Sequence, residues 1–200
     1  MGTALAFFGA FNPPTVAHLS LADFARVQCG AERVIFVPSK AAYIRGDQGK
    51  DRAYTDAQRL AMLRAAAVRR SWMEVSDWEL RQDRQPRTYD TLCRFREAGC
   101  APALLMGSDK LSELETGWRH VEEIAREFGI VCLARGSDAC EKMIRESPFL
   151  SALSPWIRII ETPGETRHVS STAVRRRVAE LRALEAELRT LVPPEILPLL

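Results

Sequence analysis

The stretch FFGAFNPPTVAHLSL, residues 7–21, decides the fold of this chain. Its first residues complete a β-prone run, ALAFFG at 4–9, and its last residues begin an amphipathic helical pattern over 16–28. A glycine and an Asn-Pro-Pro turn separate the two patterns, and Pro14 suits the first turn of a helix, where a missing N–H costs nothing. The stretch therefore predicts a buried strand that passes through a tight turn directly into a helix.

Further strand and helix patterns alternate along the rest of the chain. The other β-prone runs are RVIFVP (33–38), MEVS (73–76), ALLMG (103–107), IVCLA (130–134) and IRIIE (157–161), and helical patterns cover 56–69, 118–128 and 173–190. The runs are apolar on both faces, as in the strands of a parallel sheet that helices cover on both sides. We therefore predict an α/β fold built on a doubly wound parallel sheet.

Length and composition predict one domain. A chain of 200 residues with 46% hydrophobic residues can fill one core, so we expect a single domain over 1–200. Residues 1–165 would form the α/β core, and residues 166–200 a small C-terminal helical subdomain that carries the motif SSTAVR. The net charge is +2, with both signs scattered along the chain, which does not indicate a nucleic-acid partner.

Cysteine spacing and the first residues predict a cytoplasmic protein. The five cysteines form no C-x-x-C pair, which fits a reducing compartment. The opening MGTALAFFG lacks the basic start of a signal peptide. No apolar run is long enough to span a bilayer, so we expect no membrane partner.

The pair Thr15 and His18 points to an anion. Being three residues apart, they share one face of the predicted helix's first turn. Ligands of open α/β sheets bind beyond the carboxyl ends of the strands, where helix N-termini attract anions, and Gly9 has no β-carbon to keep a phosphate from the backbone. Taken alone, such a pair is more often a helix cap and an ordinary histidine. After a strand, a glycine and an Asn-Pro turn, it indicates phosphate binding.

HVSSTAVRRR, residues 168–177, is a second anion-binding pattern. Ser170, Ser171 and Thr172 offer hydroxyl and N–H groups at a helix start, and Arg175 follows on the same face. A plain cap before a solvated basic helix is the alternative. The chain contains neither G-x-x-x-x-G-K-[ST] nor G-x-G-x-x-G, so a nucleotide would be bound in another way.

Both patterns match known signatures. GAFNPPTVAH resembles the G-x-F-[ND]-P-x-[HT]-x-x-H signature of the nucleotidyltransferase superfamily, and VSSTAVR resembles its partner I-S-S-T-x-x-R. Further matches, VPSKAAYIR, VSDWE, RTYDTL, LLMGSDKL, GW and FGIVCLARG, extend the resemblance over nearly the whole chain. Together they are similar to nicotinamide/nicotinate mononucleotide adenylyltransferases, closest to the type usual in eukaryotes, whose first motif carries Thr.

This resemblance implies a Rossmann-like nucleotidyltransferase fold and an enzyme of NAD biosynthesis. The reaction would transfer AMP from ATP to nicotinamide mononucleotide, nicotinate mononucleotide or both, giving NAD or deamido-NAD plus pyrophosphate by direct in-line attack. The partners would be ATP and the mononucleotide, and Mg²⁺ would arrive with the substrate, held by phosphates and water. Relatives commonly form homo-oligomers, so a homo-oligomer is possible here and the oligomeric state stays open.

The resemblance also implies roles for single residues. His18 would bind the α-phosphate with support from Thr15, and Arg45 and Arg175 would hold the ATP phosphates. Arg45 stands where the family carries a lysine, and Lys50 is its alternative. The other ATP-binding positions are Gly9, Ala10, Phe11, Arg135, Ser170, Ser171 and Thr172.

The mononucleotide would contact a second set: Trp78, Thr88, Thr91, Gly107, Asp109 and Trp118. A tryptophan can stack on the cationic pyridine ring, although either tryptophan could be ordinary core. Asp109 is also a candidate helix cap.

Other functions remain open at this point. A phosphopantetheine adenylyltransferase shares T-x-x-H but lacks the tryptophan pair. A nucleotide-binding sensor without catalysis would keep the same pocket, and a basic run at 175–177 could bind nucleic acid. The sequence does not decide between the two mononucleotides, and acceptance of both is our default.

Overall fold

We describe a computed structural model of the chain over residues 4–46, 54–135, 140–162 and 170–191. The strands are β1 (Ala4–Gly9), β2 (Arg33–Pro38), β3 (Met73–Val75), β4 (Ala103–Gly107), β5 (Ile130–Arg135) and β6 (Ile157–Thr162). The helices are α1 (Val16–Cys29), α2 (Ala41–Gly46), α3 (Asp56–Ala67), α4 (Thr88–Glu97), α5 (Leu114–Gly117), α6 (Val121–Phe128), α7 (Cys140–Glu146), α8 (Pro148–Leu153) and α9 (Ser171–Leu191). Short 3₁₀ helices lie at Glu79–Arg81, Ser108–Lys110 and Ser154–Trp156. Every strand predicted from an apolar run is present, with ends within one residue of the prediction.

The six strands form one sheet in the order β3-β2-β1-β4-β5-β6, and every neighbouring pair is parallel. The strand order reverses between β1 and β4, where Leu5 pairs with Ala103. This confirms the predicted doubly wound α/β fold. In such sheets the reversal opens a crevice at the carboxyl ends of the two central strands.

Helices cover both faces of the sheet. On one face, Leu5 and Phe36 of the sheet pack with Ala25 of α1 and Leu63 of α3. On the other face, the next residue of β1, Ala6, joins a cluster with residues of α4, α6 and α8. Because successive side chains of a strand point to opposite faces, both clusters need apolar residues from the same strand.

One predicted helix begins later than expected. The pattern predicted a helix over 118–128, whereas α6 covers Val121–Phe128 and a separate short helix, α5, ends at Gly117. Trp118 has an extended backbone (φ −108, ψ 155), and His120 is left-handed (φ 59), so the chain turns between the two helices. Trp118 is thereby placed on a loop rather than on a helix face.

The C-terminal helix begins close to its predicted start. α9 runs over Ser171–Leu191 and contacts the loop after β1 through its first turn. The proposed subdomain boundary at 165/166 lies outside the described residues and stays a prediction. Among the described helices, none has the length and apolar character that crossing a bilayer would require.

Candidate active site

A cavity of about 1060 Å³ opens at the carboxyl ends of β1 and β4. Gly9, which ends β1, and Gly107, which ends β4, both line it. Its volume is at the upper end of the roughly 300–1,000 Å³ typical of small-molecule sites. The position and size suit a nucleotide together with a second small substrate.

The loop after β1 is shaped by Phe11. This residue is only 2% exposed and has a left-handed backbone (φ 41), which costs a side-chain-bearing residue energy. A β-carbon at Gly9 would lie 3.1 Å from the Phe11 ring. The Phe11 ring therefore occupies the space next to Gly9. The sequence predicted that a phosphate would approach the backbone there.

Thr15 and His18 hold each other through a reciprocal helix cap. The Thr15 hydroxyl oxygen accepts the His18 backbone N–H (3.5 Å), and the Nδ1 atom of His18 accepts the Thr15 backbone N–H (3.1 Å). The hydroxyl also lies 2.7 Å from Nδ1. The alternative interpretation of Thr15, a cap at the start of α1, is therefore correct. The same contacts also orient the His18 ring.

These contacts fix which ring nitrogen of His18 carries the proton. A backbone N–H can only donate, so Nδ1 must present its lone pair to Thr15. The neutral ring therefore carries its proton on Nε2. His18 lines the cavity, and its edge-to-face contact with Phe11 (5.3 Å between ring centroids) limits its rotation.

The first turn of α9 completes the wall beside this loop. Ser171 donates to the Pro13 carbonyl at 2.7 Å, and Arg175 donates to the Asn12 carbonyl at 2.5 Å and to the Thr172 hydroxyl at 3.1 Å. Ser171, Thr172 and Arg175 line the cavity. Arg175, predicted to hold ATP phosphates, thus also ties the loop to α9.

Ser170 has a different place from its neighbours. Its hydroxyl accepts the Ala173 N–H at 3.1 Å, as a helix cap does. It is not among the described residues that line the cavity, so its predicted contact with ATP stays a prediction.

The predicted mononucleotide residues divide into two groups. Thr88, Gly107, Asp109 and Trp118 line the same cavity. Asp109 is exposed and no side-chain cap hydrogen bond is present at the 3₁₀ helix it belongs to, so it is not the predicted cap. A β-carbon at Gly107 would lie 2.5 Å from an Asp109 carboxylate oxygen, so a larger residue there would require this exposed side chain to move.

Trp78 and Thr91 form the second group, which does not belong to the described lining of the cavity. Trp78 is half-buried and its carbonyl accepts a hydrogen bond from Gln82 at 2.9 Å. Thr91 is completely buried and its hydroxyl donates to a Glu79 carboxylate oxygen at 2.7 Å. Neither is among the described lining residues, so their contacts with substrate stay predictions.

Glu79 is a site residue for which the sequence analysis assigned no role. Its carboxylate is 1% exposed and borders the cavity. Besides Thr91, the Gln85 amide donates to it, and Gln85 in turn accepts the Lys40 backbone N–H at 2.7 Å. Burial raises the pKa of Glu79 to about 7, and the hydrogen bonds from Thr91 and Gln85 oppose that rise.

Three of the predicted positions cannot be placed. The side chains of Arg45 in α2 and of Arg135 in β5, and the whole of Lys50, lie outside the described residues. Which of Arg45 and Lys50 takes the family lysine's role therefore stays open.

Cationic side chains that the sequence analysis passed over line the cavity mouth. Arg84, Arg87 and Arg119 are exposed there, and within the described ranges none of the three forms an ion pair. In the same ranges no three His, Cys, Asp or Glu side chains are grouped to hold a metal ion.

The fold and this cavity define the class: an α/β protein whose candidate site lies at the switch point of a doubly wound parallel sheet. The cytidylyltransferase-like family model matches residues 6–177. The chain therefore belongs to the cytidylyltransferase-like family of nucleotidyltransferases.

Similar proteins point to one group within that family. A probable nicotinate-nucleotide adenylyltransferase of Neisseria meningitidis is 31% identical over 185 residues, which cover 86% of this chain and 85% of that protein. One of Carboxydothermus hydrogenoformans is 29% identical, covering 87% and 85%. A solved structure of the Plasmodium falciparum nicotinic acid mononucleotide adenylyltransferase complexed with NaAD superposes with a TM-score of 0.66 and 19% identity, covering 88% and 83%.

These comparisons confirm the predicted superfamily, the fold and the enzyme class. They do not favour phosphopantetheine adenylyltransferase. The two sequence relatives are bacterial, so the resemblance to the eukaryotic type gains no support from them and stays a prediction.

Proposed function

We propose that this protein transfers AMP from ATP to nicotinate mononucleotide, giving deamido-NAD and pyrophosphate in NAD biosynthesis. One observation carries the proposal: residues predicted for ATP (Gly9, His18, Arg175) and residues predicted for the mononucleotide (Thr88, Trp118) line one continuous cavity. The sequence relatives are named for this activity.

The chemistry suits a site that positions and stabilises charge. The 5′-phosphate of the mononucleotide attacks the α-phosphorus in line, its new P–O bond forms, and the bond to pyrophosphate breaks. Holding the two reactants together can remove roughly 7–11 kcal/mol of barrier. The Nε2–H of His18 would donate to the α-phosphate as negative charge develops there, and Arg175 would add its positive charge.

Mg²⁺ would accompany ATP. Because the described residues contain no cluster of metal-ligating side chains, phosphates and water would supply most of its ligands, with Asp109 as one of the carboxylates that line the cavity. The ion would neutralise charge on the leaving pyrophosphate.

We further propose that nicotinate is preferred over nicotinamide. The two substrates differ by a carboxylate against a neutral amide. Arg84, Arg87 and Arg119 at the cavity mouth form no ion pair within the described ranges, so their charge is available to a substrate carboxylate. Asp90 and Asp109 in the same lining oppose this attraction. This refines the default expectation that both are accepted.

A steady-state assay with ATP, Mg²⁺ and each mononucleotide tests both proposals through release of pyrophosphate. We expect a higher kcat/KM for nicotinate mononucleotide. Absence of turnover with either pyridine substrate would refute the adenylyltransferase function and favour a nucleotide sensor. Equal kcat/KM values would refute only the preference.

His18→Ala separates catalysis from binding. Removing a donor to developing charge should lower kcat by about 10²–10³-fold while ATP binding, measured by titration calorimetry, remains. His120→Asn is the matched control, since this exposed histidine lies outside the cavity and Asn accepts its left-handed backbone. Similar losses in both variants would contradict the role of His18.

Three coarser expectations remain to be tested. Size-exclusion chromatography would decide the oligomeric state. The cytoplasmic location and the absence of a nucleic-acid partner stay predictions, and a gel-shift assay addresses the second.

A further inference from the structure

Arg59 is the largest side chain that the described part of the protein buries completely. It lies on α3, outside every motif and outside the lining of the cavity. Burying a guanidinium is unfavourable unless good hydrogen bonds compensate. Burial lowers the pKa of Arg59, while the carboxylate of Asp56 raises it, and an arginine stays charged under such conditions.

Its partners lie on three different segments. The Nη1 atom donates to the Ala10 carbonyl at 2.8 Å, and the Nη2 atom donates to the Ser39 carbonyl and to the Asp56 carboxylate, both at 2.5 Å. The third nitrogen, Nε, is buried without a hydrogen-bond partner among the described residues. The same Asp56 oxygen accepts the Ala41 backbone N–H at 2.6 Å. Arg59 therefore joins the segments that follow β1 and β2 to the start of α3.

The contact with Ala10 sets the direction of a peptide group in the site. The Ala10–Phe11 peptide is trans, so its N–H points away from its C=O. Since Arg59 draws the carbonyl toward α3, the Phe11 N–H is directed to the opposite side. The left-handed backbone of Phe11 (φ 41) is unfavourable for a residue with a side chain, and the hydrogen bond from Arg59 to the preceding carbonyl helps to hold it.

The backbone that Arg59 holds is the backbone that faces the cavity. Gly9, Ala10, Phe11 and Ser39 all line it, and the Ser39 N–H donates to the Gly9 carbonyl at 3.0 Å. A shift of Arg59 would therefore move the loop on which a phosphate is to rest.

We propose that Arg59 is a positioning residue for nucleotide binding: it fixes the Ala10 carbonyl, and thereby the Phe11 N–H, without touching the nucleotide itself. This inference rests on the proposed adenylyl transfer. Lysine cannot replace the arginine, because a single ammonium group lacks the planar fork that reaches three oxygens at once.

Arg59→Lys is the test, and Arg64→Lys is its matched control. Arg64 lies on the same helix, but its side chain is 58% exposed and pairs with Asp77 at 3.0 Å. Because small displacements of a site can cost about 100-fold in rate, we expect a loss of that order in kcat/KM for ATP with Arg59→Lys. The KM for the mononucleotide should stay unchanged, and Arg64→Lys should behave as wild type.

A purely structural role would give a different result. It would lower the melting temperature of Arg59→Lys and leave kcat/KM for ATP unchanged well below that temperature, and this outcome would overturn the proposal. If Arg59→Lys does not fold, Asp56→Asn decides instead. It keeps an oxygen for Ala41 but removes the charge that holds Arg59, so it should also lower kcat/KM for ATP; wild-type kinetics would refute the proposal.

ATP titration separates this inference from the proposed function. If the wild-type protein binds ATP without turnover, the proposed function fails. Weaker ATP binding by Arg59→Lys, with a displaced Phe11 amide resonance, would still support the role of Arg59. If the wild-type protein is active and Arg59→Lys binds ATP equally well, only the inference about Arg59 fails. If the wild-type protein neither turns over nor binds ATP, both fail.

Discussion

At the scale of single residues, Thr15 serves two purposes with one set of contacts. Its hydroxyl caps α1, and its backbone N–H and hydroxyl hold Nδ1 of His18. The cap therefore also fixes the tautomer that presents Nε2–H as a donor. Thr15, which the sequence pattern alone identifies only as a helix cap, therefore also contributes to the proposed chemistry through His18.

Thr15→Val tests this double purpose. Losing the cap should lower the free energy of unfolding by about 1 kcal/mol, measured by urea denaturation. The kcat should also fall, because the His18 ring keeps only the backbone N–H as a donor to Nδ1. Thr15→Ser retains the hydroxyl and should restore both values. A Thr15→Val variant with wild-type kcat would show that the hydroxyl does not orient the ring.

Glu79 should make the stability of the protein depend on pH. Its pKa is raised from 4.5 to about 7 in the folded state, so between these values the folded protein binds more protons than the unfolded chain. Stability is therefore highest at low pH in this window and should fall by about 3 kcal/mol as pH rises from 4.5 through 7.

Urea denaturation at pH 5 and pH 8 measures that loss. Glu79→Gln cannot ionise and should show a smaller fall in stability over the window. Glu74→Gln is the control, since this side chain is 50% exposed and pairs with Arg33. A wild-type protein as stable at pH 8 as at pH 5 would contradict the raised pKa of Glu79.

Sequence distance explains which of these residues could be predicted. Thr15 and His18 lie three residues apart within one motif, so a local pattern reveals them. The carbonyls that Arg59 reaches lie 49 and 20 residues away along the chain, and its position looks like any charged residue of a surface helix. Glu79 lies within the quoted run VSDWE, but the hydrogen bonds that its buried carboxylate accepts come from Gln85 and Thr91, which lie 6 and 12 residues further along the chain.

At the scale of elements, the first turn of α9 stabilises the loop after β1 through hydrogen bonds. Ser171 and Arg175 bond the carbonyls of Pro13 and Asn12. Both motifs that the sequence singled out therefore meet, although more than 150 residues separate them. Their adjacency follows from the fold alone, because no local pattern encodes it.

Arg175→Ala should weaken ATP binding. The substitution removes a tie to Asn12 and a positive charge from the cavity wall, and a charge-assisted hydrogen bond contributes about 1.5–3 kcal/mol. We therefore expect the KM for ATP to rise by about tenfold or more. Arg177→Ala is the matched control on the same helix, since Arg177 is 76% exposed and pairs with Glu180. If both substitutions raised the KM for ATP equally, Arg175 would contribute only to the overall positive charge of the helix and not to a specific contact.

The start of α6 shows what periodicity does not predict at this scale. Apolar spacing runs from Trp118 to Phe128, so the pattern predicts a helix that begins at 118 rather than at Val121. The backbone at Trp118 and His120 departs from helical angles, and apolar spacing carries no information about that departure. The result matters for function, because the resulting loop places Trp118 at the cavity.

At the scale of the whole molecule, strand order locates the site. The apolar runs predicted the strands, and the right-handed crossover rule predicted a doubly wound sheet. The switch point between β1 and β4 then lies where the loop after β1, predicted to bind an anion, emerges. The side chains that line the cavity come from distant segments of the chain. The sequence therefore predicts where the site lies in the fold better than it predicts which residues line it.

Because the cavity gathers loops from both halves of the sheet, its ligands should stabilise the entire fold. A ligand at 100 times its Kd adds about 2.7 kcal/mol to the free energy of unfolding, which for a chain of this length raises the melting temperature by about 5–10 °C. Thermal denaturation with ATP, with nicotinate mononucleotide and with nicotinamide mononucleotide at equal concentrations measures this effect.

The pattern of melting temperatures separates binding, preference and catalysis. Nicotinate mononucleotide should raise the melting temperature more than nicotinamide mononucleotide, because only the first carries a carboxylate toward the arginines at the cavity mouth. ATP should raise it in His18→Ala nearly as much as in wild type, since His18 acts on charge that develops during the reaction. A protein that neither mononucleotide stabilises, but that ATP does, would retain the nucleotide site and lack the second substrate site that the adenylyl transfer requires.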